Sequence, residues 1–206
     1  MRYLILFLLL ITTNIYASPT IYGPTGLVEM PSAESIAYKQ INFGIDYSVY
    51  NSKDSSENQV YYKFNLGSFE NWELGVLGGS FIDEGVFVNL KYFLMTDQQE
   101  NPLSIAVGVE RVGSNSDLAS YLVSSKRLDD GLNLHFGFKA FLQDGLIAGA
   151  MLGGEYFTSD KMAFITDIIG EKNQSYVVNT GFRFYIENNI TFRFYLMDLI
   201  KTKENK

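Results

Sequence analysis

His135 is the only histidine in the chain, and with no cysteine available as nucleophile or thiolate ligand, any reaction chemistry has to be sought around it. Acyl transfer requires a serine and an acid converging on such a histidine. His135 lies within LNLHFGFKA, has no serine two residues away on its own segment, and Ser104, Ser120 and Ser124 carry no surrounding motif. The plainer expectation is a histidine on a polar interior face, paired with a neighbouring carboxylate. Only carboxylates remain for a hard cation, and DSSEN and SNSD lack the dense acidic spacing of a calcium loop. GVLGG and GAMLGGEY do not read as phosphate loops opening a helix; glycines there relieve bending or make room for a large neighbour. The expectation is therefore a non-enzymatic protein without catalytic residues, metal or cofactor.

The net charge of −7 argues against nucleic acid as a partner, since KTKENK at the end is the one clearly basic stretch. At the start, one arginine precedes an apolar run, Tyr3 to Ile11, and a polar patch ending in small residues. That layout is a secretory signal peptide over residues 1–17, cut after Ala17, and is shorter than the roughly 20 apolar residues of a membrane helix. Residues 18–206 then form a single domain, with no disulfide and no lipidated cysteine.

From residue 41 onward, segments of strand length alternate with turns such as GSFEN, QDG, TSD and ENN. The segments are 41–50, 59–67, 72–80, 85–94, 102–112, 117–126, 131–142, 146–156, 161–169, 175–186 and 189–198. No segment sustains a helical period, and such tight connections imply antiparallel hairpins.

Successive side chains of a strand point to opposite faces. In 41–50 one face carries Ile41, Phe43, Ile45, Tyr47 and Val49, the other Asn42, Gly44, Asp46 and Ser48. In 131–142, Leu132, Leu134, Phe136 and Phe138 oppose Asn133, His135, Gly137 and Lys139. The polar face is poor in charge but holds isolated, nearly balanced ions: Asp46, Lys63, Glu73, Lys91, Glu110, Lys126, Lys139, Glu155, Arg183 and Arg193. Such ions are expected to line a lumen and to pair across it. A soluble sandwich also alternates, but its outer face usually carries more charge. Aromatics gather at segment ends, as at Tyr47, Tyr50, Tyr61, Tyr62, Trp72, Tyr92, Phe93, Tyr156, Phe157 and Tyr185, where interfacial girdles would lie. Strands of about 10 residues match a bilayer. The expected fold is all-β, an antiparallel up-and-down transmembrane β-barrel of about 10–12 strands, in the outer membrane of a Gram-negative envelope.

One stretch stands apart, YGPTGLVEMPSAE at 22–34. Gly23, Thr25, Gly26, Leu27, Val28, Met30, Pro31 and Ala33 give a pattern that resembles the N-terminal signature of the YjbH-like family of bacterial outer-membrane barrels. The resemblance implies an association with exopolysaccharide production and export. Pro24 and Pro31 bracket a stretch too short to span a bilayer alone. It could be a short first strand closing the barrel, a plug in the lumen, or a periplasmic lead, and the even strand number usual in single-chain barrels favours the first. The stretch offers no titratable pair, and Glu29 and Glu34 have no partners in view.

The expected function is an envelope structural component, or a porin-like accessory in exopolysaccharide or small-solute export through a polar lumen. The expected partners are outer-membrane lipid, the barrel-assembly machinery, and polysaccharide or envelope proteins. The alternatives are a lipid-modifying barrel enzyme using His135 and a secreted soluble β-barrel that binds an apolar ligand.

Overall fold

The computed structural model describes residues 18–51, 56–80, 85–96, 102–114, 118–128, 131–142, 147–170, 175–187 and 190–200. The segment expected to be a signal peptide, 1–17, and the basic tail, 201–206, lie outside the described residues. Eleven strands follow in chain order: β1 (Ile41–Asn51), β2 (Ser56–Phe69), β3 (Trp72–Gly79), β4 (Phe87–Met95), β5 (Ser104–Val112), β6 (Ala119–Arg127), β7 (Leu132–Phe141), β8 (Ile147–Ser159), β9 (Met162–Gly170), β10 (Tyr176–Glu187) and β11 (Ile190–Leu196). Each pairs antiparallel with the next, so a single eleven-stranded sheet runs in sequence order without a crossover. No helix occurs among the described residues.

The period-2 pattern decides which way each strand faces. On β7, Leu134, Phe136 and Phe138 are exposed, while Asn133, His135 and Lys139 are buried. On β1, Phe43, Ile45, Tyr47 and Val49 are exposed on the outer face. The outer aromatics are neighbours across strands: Phe164 of β9 meets Phe182 of β10 edge-on at 5.4 Å between ring centroids, and Phe184 lies 6.5 Å from Phe192 of β11. A slip of one residue in any of these ladders would turn a row of hydrocarbon inward and a row of ions outward, so register is strongly specified.

Two expectations about faces need correction. Lys126 shares its parity with the exposed Leu122 and stands opposite Leu134, so it belongs to the outer face near a strand end. The end aromatics also divide. Tyr47, Tyr62 and Tyr156 are exposed on the outer face, whereas Phe93 is buried inside and Phe157 stacks on Tyr185 at 6.1 Å along the inner parity.

The two ends of the sheet differ more than the turn sequences suggest. At one end, residues 70–71 and 160–161 are all that separate β2 from β3 and β8 from β9, although β4 and β5, which meet at the same end, are separated by 96–103. Asn71 takes a left-handed conformation (φ 66°) there, which asparagine tolerates better than most residues. At the other end the connections are longer, for example 80–86 and 113–118.

Residues 22–34 do not form a twelfth strand. The segment from Ser18 to Ala33 is buried almost throughout and packs on the inner face of the sheet. Its β-bridges are internal, Pro19 with Thr25 and Gly26 with Pro31. With three prolines and only short reversals, it cannot supply the continuous row of donors that a strand ladder needs.

Candidate functional site: the occupied inner face

Residues 18–36 fold by local turns. Thr20 N donates to Pro24 O (2.7 Å), Ile21 N to Val28 O (2.8 Å), Leu27 N to Met30 O (2.8 Å) and Ser32 N to Thr25 O (3.0 Å). Gly23 has φ 111°, a region that side-chain-bearing residues rarely enter. At Gly26 an added Cβ would lie 2.7 Å from the Pro31 Cα, so the reversal closes only around a glycine.

Such a segment has many backbone groups and too few of its own partners for them. The wall supplies the rest. Asn65 donates to Gly23 O (2.6 Å) and Asn89 to Tyr22 O (3.0 Å). Lys91 lies within hydrogen-bonding distance of the carbonyls of Thr25 (2.9 Å), Ser32 (3.1 Å) and Glu34 (3.0 Å). Arg183 donates to the carbonyls of Gly26 and Leu27, and Arg193 to that of Pro19. In the opposite sense, Glu73 accepts from Thr25 N (2.8 Å), and one oxygen of Asp167 accepts from three consecutive amides, Val28 (2.9 Å), Glu29 (2.9 Å) and Met30 (3.0 Å). These partners come from β2, β3, β4, β9, β10 and β11, so the sheet is curled around the segment.

The apolar side chains of the segment fill the remaining space. Ile21, Leu27, Val28, Met30 and Ala33 form one cluster with Phe93, Tyr121, Val123, Met151, Ile165, Ile169 and Val177 of the wall. Gly153 forms the floor under Leu27, whose Cδ1 a Cβ on Gly153 would strike. Burying Leu27, Val28 and Met30 contributes about 1.5–3 kcal/mol each.

The nine charges read from the strand pattern as Asp46, Lys63, Glu73, Lys91, Glu110, Lys139, Glu155, Arg183 and Arg193 come together in four groups. Lys63 and Arg193 both bind Asp46, the latter at 2.8 Å. Glu73 pairs with Lys91 at 3.4 Å, Glu110 with Lys139 at 2.7 Å, and Glu155 with Arg183 at 2.8 Å. Glu73 and Lys91 are direct cross-strand neighbours. The pairs Glu110–Lys139 and Glu155–Arg183 each reach over an intervening strand, where Ala119 faces Glu110 and Ala163 faces Arg183. The middle strand thus carries a small residue opposite one member of each pair and a bulky one, Tyr121 or Ile165, opposite the other. Three of the four groups also bind the segment through Lys63, Lys91, Glu73, Arg183 or Arg193.

His135 is fully buried and its Nδ1 lies 2.7 Å from Ser125 Oγ, directly opposite it across β6 and β7. It pairs with a serine, not with the expected carboxylate. The same Ser125 oxygen accepts from Ala33 N at 2.8 Å, so the hydroxyl is part of the segment's anchorage.

Glu29 is buried, and that burial, followed by the nearby Asp167 carboxylate, pushes its carboxyl up to about 8; Asp198 and Glu110 act in the same sense and Lys139 opposes them. The folded state therefore holds the neutral acid, while an unfolded glutamate titrates near about 4.3. The stabilisation is complete below that value and is lost as pH rises through about 8. Exchange of the Val28 to Met30 amides, corrected for intrinsic rates, should quicken by about tenfold or more between about pH 6 and about pH 9, one pKa unit being a factor of ten. Glu29→Gln should abolish that dependence, and an unchanged profile in the variant would exclude Glu29 as its source.

Several wall residues escape a sequence reading. Asp167 sits in FITDII between Ile165 and Ile169 on the same face, where a mostly apolar row hides it. Asn65, Asn89, Asn133 and Ser125 have no individual signature. Glu34, expected to lack a partner, lies 3.4 Å from Asn133 Nδ2 and 3.8 Å from Arg127. Comparison with family models, curated proteins and solved structures found no match.

Proposed function

We propose that this chain is a non-enzymatic outer-membrane β-barrel whose interior is stoppered by its own residues 18–36. It serves as an envelope structural component, or as an accessory in polymer or small-solute export that conducts only when the segment moves. The observation that carries this reading is the division of the sheet into an exposed outer face of Phe, Leu, Ile, Val and Tyr and an inner face of paired ions bound to a polypeptide segment. A soluble sheet would leave that outer row in water, whereas lipid accepts it and requires the backbone to be paired internally. Tyr47, Tyr62 and Tyr176 toward the long-connection end, and Trp72, Tyr92 and Tyr156 toward the other, are suited to the two interfaces. The engagement of Ser125 by Ala33 speaks against His135 as part of a hydrolytic pair.

In a planar bilayer the full chain is expected to be electrically silent, and the chain lacking residues 18–36 to conduct, because the four ion groups can still pair across a hydrated lumen. Steady conductance by the intact chain would overturn the stoppered state. Recovery of the folded protein in an aqueous fraction without detergent would overturn the membrane assignment.

A further inference from the structure

An up-and-down sheet of eleven strands has a directional consequence. Ten successive reversals leave β1 and β11 running the same way. These two strands end the sheet order, and no ladder joins them among the described residues, although they lie close enough for Arg193 Nη2 to meet Asp46 Oδ1 at 2.8 Å. Behind that ion pair, Pro19 supplies a carbonyl to Arg193, and its ring lies 3.6 Å from where a Cβ on Gly44 would sit. The seam is thus latched from inside by side chains and by the N-terminal segment.

We infer that this seam is an acceptor site for one extended strand of another polypeptide, lying antiparallel to both β1 and β11 and completing an all-antiparallel ring of twelve. The burial of the N-terminal segment and the common direction of the two edges together select that occupant. The chain's own candidate for a twelfth strand, residues 22–34, is committed to the interior. A second copy inserted in the same membrane orientation presents edges that all point the same way, so any pairing with it would be parallel, the weaker arrangement per residue. A strand antiparallel to β1 is also parallel-free toward β11, because both edges have one direction. Inserting it requires about 10 Å between the flanking strands, twice the usual spacing, which an arginine–aspartate pair can still bridge from within.

The partner's chemistry follows from the rims. On the outer face the seam is flanked by Phe43, Ile45 and Tyr47 and by Phe192 and Phe194, all exposed. The occupant is therefore a segment of about 9–11 residues with apolar side chains at every second position and small or polar ones between. The inference rests on the membrane reading to the extent that hydrocarbon makes an unpaired edge costly.

The test uses the full chain, folded in detergent micelles, and a synthetic peptide copying Gln59–Phe69, a stretch of β2 that already runs antiparallel to β1. Without peptide, the seam-directed amides of β1 and β11 are expected to exchange at least about tenfold faster than the amides of β7. A stoichiometric amount of peptide should slow both edges together. Seam amides already as protected as those of β7 would mean that the sheet closes on itself, and a peptide that leaves both edges unchanged would equally overturn the acceptor site. Either result leaves the membrane reading intact, whereas folding without detergent overturns that reading and not the seam.

Discussion

Asp167→Ala is expected to be among the most damaging single substitutions in the protein. It removes the common acceptor of the Val28, Glu29 and Met30 amides and the partner of Asn179 Nδ2 at 2.9 Å. All of these groups are buried, and an unsatisfied buried donor costs about 1–3 kcal/mol. Relaxation makes the sum less than additive, so a loss of about 3–5 kcal/mol is expected. Asp167→Asn keeps one acceptor oxygen but introduces a competing donor, and should lose less, about 1–2 kcal/mol. Denaturant unfolding in micelles, followed through Trp72, measures both. A midpoint for Asp167→Ala within error of the parent would remove the triple-amide contact from the account of how the segment is held. Limited proteolysis adds a local readout, since cleavage within residues 18–36 should precede cleavage of the strands.

Arg183→Met should have an effect of similar size by a different route. Arg183 is buried at 1% exposure and joins Glu155 to the carbonyls of Gly26 and Leu27. Taking away the guanidinium strands the Glu155 carboxylate, itself fully buried, and a broken buried pair typically costs about 3–5 kcal/mol. The double substitution Arg183→Met with Glu155→Gln is expected to recover part of that loss, because no uncompensated charge remains. Strict additivity of the two single effects would show that the pair is not coupled. Heat-modifiable gel mobility provides an independent measure, with the single variant losing its folded band at a lower temperature than the double.

Much of this arrangement was legible in the sequence because the strands obey a period of two under strong constraint. Phe136 and Phe138 against His135 and Lys139 can be sorted onto faces without any knowledge of their neighbours. The nine ions were legible for the same reason, each being an isolated charge among uncharged residues on the polar parity of its segment. Their partners were not. Glu155 finds Arg183 across β9, where Ala163 faces the arginine, and Glu110 finds Lys139 across β6, where Ala119 faces the glutamate. That depends on curvature and register, neither of which alternation encodes. Asp167 was obscured by Ile165 and Ile169, since the inner face beneath the segment is itself partly apolar. The stretch from Tyr22 to Glu34 shows its turns through Gly23, Gly26 and the two prolines, but turn chemistry says how a segment bends and not what surrounds it. Ser125 and His135 meet on adjacent strands, where a search along a single strand does not look.

The position of residues 18–36 also imposes an order on assembly. The first part of the described chain finds its partners at its far end: Val28 is 139 residues from Asp167, Gly26 is 157 from Arg183, and Pro19 is 174 from Arg193. Contacts of such long range must pay loop-closure entropy before they return any stability, and proteins dominated by them fold slowly. Until β9, β10 and β11 arrive, the early strands hold Lys63, Lys91 and Glu73 around a segment that is only half enclosed. The late strands therefore act as the capturing half of the molecule. A truncation removing β9 to β11 should release the N-terminal segment as well, so that the two ends of the chain become ordered in the same step.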